Sequence, residues 1–102
     1  MREKLNTFMD EPWYVVNTSM AEYLNAELVS ELSSEHILNG KESIAVARRC
    51  DNDEVVYWIP ELNKFAVVHL TYCKENSSEY PKTKLFTFCE FEKHCKEVSN
   101  FY

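Results

Sequence analysis

Apolar positions along this chain follow two rhythms, one helical and one alternating. From Ser19 to Ser33 the apolar residues are Met20, Tyr23, Leu24, Leu28 and Leu32, spaced to line one side of an α-helix. Ser19 and Glu22 have the form of a capping box, in which each side chain bonds the other residue's backbone N–H. The pattern predicts an amphipathic helix over roughly residues 19–33, with Glu22, Glu27 and Glu31 mostly turned to water. Thr87 and Glu90 repeat the box, and Phe88, Phe91, Cys95, Val98 and Tyr102 follow at helical spacing, predicting a second helix at the C-terminal end.

Between these segments lie three β-prone runs, SIAVARR, EVVYWI and KFAVVHLTY. Their connections, CDNDE and PELN, are too short for crossover helices, so neighbouring strands are expected to be antiparallel. Lys84-Leu85-Phe86, after the polar loop ending in Pro81, offers a short fourth strand. Trp13-Tyr14-Val15-Val16 is also β-prone and reads as a short strand or a hydrophobic lead-in. The expected fold is α+β: an antiparallel meander of three to four strands with an N-terminal and a C-terminal helix packed on it, most simply on one face. Residues 1–102 are expected to form one domain.

Alternation places Phe65, Val67, His69 and Thr71 on one side of the third run and Ala66, Val68, Leu70 and Tyr72 on the other. The second run divides into Val55, Tyr57 and Ile59 against Val56 and Trp58. Neither has a clean polar face. Such a sheet is covered on both sides by the chain itself, or on one side by a second subunit, which makes a homodimer one of the readings.

Seventeen acidic residues against eleven basic ones give a formal net charge of −6, which disfavours nucleic acid and anionic lipid and favours a basic partner. The N-terminus has no apolar signal core, and no apolar run reaches the ~20 residues of a membrane span. Without a secretion signal, the four cysteines, Cys50, Cys73, Cys89 and Cys95, read as free thiols in the cytoplasm.

His69 is the polar residue that interrupts the apolar pattern. Half-buried, it is expected to bond Thr71 or a facing strand. In the functional reading it joins His36, Arg48 or Arg49 in a concave anion site, since arginine can hold a carboxylate or phosphate by two parallel hydrogen bonds. Alternation sends the two arginines to opposite faces, so only one can share a face with His69, and local pairing with Asp51, Asp53 or Glu54 competes for at least one of them. Cys89, His94 and Cys95 lack the ligand spacing of a structural zinc site. Cys89, in the first turn of the last helix, is a weak nucleophile candidate, and Asp51 to Glu54 lacks the calcium-loop pattern. With a single glycine, Gly40, no phosphate-cradling loop can be built. No catalytic residue, metal or cofactor is assigned.

Glu35 to Gly40, Ala47-Arg48-Arg49, the Asp-rich turn and Val68-His69-Leu70-Thr71 resemble a set of small bacterial proteins over roughly residues 13–92. In that pattern the His-Leu-Thr strand commonly ends in tryptophan, where this chain has Tyr72. The resemblance implies no activity. In size and charge the chain is also similar to immunity proteins of bacterial toxin systems, an analogy of type. The reading that follows is a non-enzymatic interaction protein with an acidic, aromatic-rich surface, for which Trp13, Tyr14, Tyr57 and Trp58 are the candidate anchors. The rival is a small ligand-binding protein or enzyme using His36, His69 and one of the arginines, with Thr71 beside them.

Overall fold

A computed structural model describes residues 9–71 and 81–101. Five strands, β1 (Trp13–Val15), β2 (Ile44–Arg49), β3 (Glu54–Ile59), β4 (Lys64–His69) and β5 (Thr83–Phe86), form one sheet in sequence order. Every neighbouring pair is antiparallel. Helix α1 (Thr18–Glu31) links β1 to β2, and α2 (Phe88–Phe101) follows β5. The sheet thus has more strands than expected, because Trp13–Val15 pairs along β2 instead of merely leading into α1.

The two helices cover opposite faces, which corrects the expectation of a common one. Leu24 and Leu28 of α1 pack with Val55, Tyr57, Ile59, Ala66 and Val68. On the other side Phe91 and Cys95 of α2 pack with Trp13, Val56, Phe65 and Val67. The apolar character of both faces of β3 and β4 is therefore satisfied within the chain, each face burying its own set of side chains from water.

Local chemistry sets the helix ends. Asn17, not Ser19, caps α1: its side chain accepts a bond from Met20 N at 2.8 Å. Starting there, the helix buries Ala21, Leu24, Leu28 and Glu31 and leaves Tyr23 exposed, correcting the expectation that Glu31 faces water. At α2 the capping box forms as expected, Thr87 N donating to Glu90 Oε1 at 2.9 Å and Glu90 N to Thr87 Oγ1 at 3.3 Å. Those backbone and hydroxyl donors hold the Glu90 carboxyl below its ordinary range.

A β-bulge interrupts β2. The register passes from Ala45 opposite Tyr57 to Ala47 opposite Val56, leaving Val46 unpaired. Val46 and Ala47 consequently both belong to the α2-side core, and every later side chain in β2 is switched to the face it would otherwise not occupy.

Candidate functional site

The bulge decides which arginine shares the face of His69. Arg48 lies on the α1 side, where Nη1 approaches Met20 Sδ at 3.7 Å. Arg49 lies on the α2 side with its guanidinium 5.4 Å from the Trp13 ring centre. Its donors are already engaged: Nε and Nη2 bond the two Asp51 carboxylate oxygens at 2.8 and 2.7 Å, and Nη1 bonds Glu54 at 3.1 Å. This pairing raises the Arg49 pKa and lowers that of Asp51. Arg49 therefore grips the chain's own carboxylates, and its fork is not open to a ligand.

The expected grouping of His36, His69 and Thr71 separates. His36, not His69, is the buried histidine, and it belongs to the α1 side. Its Nδ1 accepts from Leu38 N at 3.0 Å, so Nε2 carries the proton and donates to the Pro81 carbonyl at 3.0 Å, with Thr83 Oγ1 3.3 Å away. His36 is thus a clamp between the segment after α1 and the start of β5. Thr71 bonds the buried Glu31 carboxylate through both its N–H (2.8 Å) and its hydroxyl (3.0 Å). Regular strand structure ends at His69, and alternation no longer governs Thr71.

His69 is exposed, correcting its expected half-burial. It faces the α2 side, but at the end of β4 that α2 leaves uncovered. There Glu54 and His69 are paired across the sheet, and His69 N donates to the Lys82 carbonyl at 2.9 Å. The next row pairs Val67 with Lys84. Together with His94 of α2, these residues enclose a cleft of about 140 Å³. His94 stacks on Phe86 with ring centres 4.9 Å apart and meets Trp13 edge-on at 5.8 Å. Burial lowers its pKa. Lys82, Lys84 and His94 did not enter the anion site drawn from sequence, because only the assembled sheet sets the K-T-K segment and α2 beside His69.

Of the four aromatic anchor candidates, Trp13 (2% exposed) and Tyr57 (fully buried) are core residues. Tyr57 hydroxyl donates to the Leu24 carbonyl at 2.7 Å and ties α1 to the sheet. Trp58 is half-buried against Phe65, ring centres 5.0 Å apart. Tyr14, 41% exposed on the edge strand, is the one that reaches solvent. A different exposed surface runs along α1, where Ser19, Glu22, Ala26 and Val29 form an outward stripe at helical spacing with Tyr23 beside it. Tyr23 is 56% and Val29 73% exposed, and α1 contains no basic residue.

Among the described residues, no three histidine, cysteine, aspartate or glutamate side chains are placed to hold a metal ion, and no helix is long and apolar enough to cross a membrane. Cys50 and Cys89 are exposed; Cys95 is buried, its thiol pKa pushed up to about 12 by loss of solvation. No protein-family model, curated protein or solved structure matches the chain.

Proposed function

We propose that this chain is a single-domain, non-enzymatic interaction module of the cytoplasm that presents the outer face of α1 to a basic partner protein. The observation that carries this reading is the α1 stripe: Val29 and Tyr23 stand in water on a helix whose charged residues are all acidic. Exposed apolar side chains in a charged frame of one sign suit a partner of the opposite sign, with steering by charge and affinity from the apolar contacts. The net charge of −6 adds to that steering. Tyr14 is retained as an aromatic anchor; Trp13 and Tyr57 are not, since both are committed to the core. Free thiols at Cys89 and Cys95 support an intracellular setting. The likeness in size and charge to immunity proteins suggests a basic toxin or nuclease as the partner class.

The ligand-site rival based on His36 with His69 loses its geometry, because the two rings lie on opposite sides of the sheet. The interaction reading is tested by affinity capture with the wild-type chain and with a Tyr23→Ala/Val29→Ala double variant. A basic protein held by the wild type and lost from the variant is the expected result. Equal retention by both, or retention of no basic protein, would overturn the reading.

A further inference from the structure

Among the described residues that line the cleft at the end of β4, two lysines stand against one carboxylate. Lys84 of β5 lies opposite Val67 of β4, Lys82 directly precedes β5 with its carbonyl bonded by His69 N, and Thr83 and, from α2, His94 complete the lining with Glu54. Among the described residues, Glu54 is the acidic residue of the lining, and its carboxylate is already bonded by Arg49 at 3.1 Å. Two lysines and two histidines thus line one small cleft in a chain whose formal net charge is −6.

We propose that this cleft binds a phosphate group, with Lys82 and Lys84 as the charge partners and His69 and His94 as N–H donors. Its volume of about 140 Å³ is below the range that encloses a whole drug-sized ligand, so it admits a free oxyanion or the phosphoryl end of a larger molecule. Lysine ammonium groups are point charges suited to a tetrahedral oxyanion, whereas the planar arginine fork that favours bidentate carboxylate is filled by Asp51 and Glu54. Val67 forms an apolar floor, where lower local polarity strengthens charge-assisted bonds. Among the described residues neither imidazole has a hydrogen-bond partner, and Lys84 has no ion pair. The metal alternative fails on geometry, since Glu54, His69 and His94 do not converge as ligands.

The test is titration of the full chain with inorganic phosphate, and separately with glycerol phosphate, at constant ionic strength, while the imidazole NMR signals of His69 and His94 are followed. Saturable shifts of both rings are expected, and weakening of about tenfold in Lys84→Gln, the scale of one lost charge-assisted bond. Lys64→Gln, which removes an exposed charge at the opposite end of β4, should leave binding unchanged. Shifts with inorganic phosphate alone assign a free anion, and stronger binding of glycerol phosphate assigns a phosphomonoester. Absence of saturable shifts with either probe, the same response to chloride, or equal weakening by Lys84→Gln and Lys64→Gln would overturn the proposal.

Discussion

His36 and His69 show how the same residue type acquires opposite meanings from its surroundings. His36 satisfies two buried backbone groups, the Leu38 N–H and the Pro81 carbonyl. His36→Ala leaves the Leu38 N–H without this partner and the Pro81 carbonyl with the Thr83 hydroxyl, and should cost about 1–3 kcal/mol in urea unfolding, whereas His69→Ala at the exposed rim should stay within about 0.5 kcal/mol. Equal losses would contradict these placements. Glu27 and Glu31 provide a second residue-scale prediction. A hydrogen bond to Glu31, then desolvation, then repulsion from the Glu31 charge raise the Glu27 pKa above its usual 4.5. A folded-state pKa above the unfolded one means that Glu27 contributes stability when protonated, fully below the unfolded value, and that this contribution is lost as pH rises through the folded value. Glu27→Gln keeps the donor without the charge. Thermal unfolding should therefore show the variant more stable than wild type at neutral pH and no such advantage below the normal glutamate range.

At the scale of elements, the capping pattern in the sequence was right for one helix and displaced for the other. Thr87 and Glu90 form their box, but at α1 Asn17 takes the capping position ahead of Ser19, its side-chain oxygen accepting from Met20 N and so starting the helix before the Ser19–Glu22 pair. Asn17→Ala and Thr87→Ala should each lower stability by about 1 kcal/mol, while Ser19→Ala should be near neutral. A larger loss from Ser19→Ala than from Asn17→Ala in denaturant titration would restore the helix start expected from sequence. The antiparallel order of β2, β3 and β4 was legible because short polar turns separate strongly β-prone runs. Which arginine faces His69 was not, since it depends on the bulge at Val46 and nothing in SIAVARR distinguishes a bulged strand from a regular one. Nor was the burial of Glu31 legible: its partner Thr71 lies forty residues away in sequence, and only the assembled sheet brings them together. Likewise, a histidine in an apolar run looks enclosed until the end of the covering helix is known.

For the whole molecule, the central question is whether two cores separated by a sheet behave as one unit. Strands β3 and β4 contribute alternate residues to both cores: Val55 and Val68 to the α1 side, Val56 and Val67 to the α2 side. Loss of either helix should therefore loosen strands that the other helix needs, and the domain should unfold in one transition. Cys95 reports on this directly, because its buried, undissociated thiol must become exposed before it can react. In a chain with Cys50, Cys73 and Cys89 replaced by serine, alkylation of Cys95 measures opening on the α2 side. Leu24→Ala truncates a fully buried side chain on the opposite side, a change expected to cost about 2–5 kcal/mol. If opening is global and closing outpaces alkylation, the Cys95 rate should rise by roughly thirtyfold or more, matching the loss measured in denaturant. An unchanged Cys95 rate alongside a clear loss in global stability would show that α2 opens independently, and the two faces would then have to be treated as separately stable layers on a shared sheet.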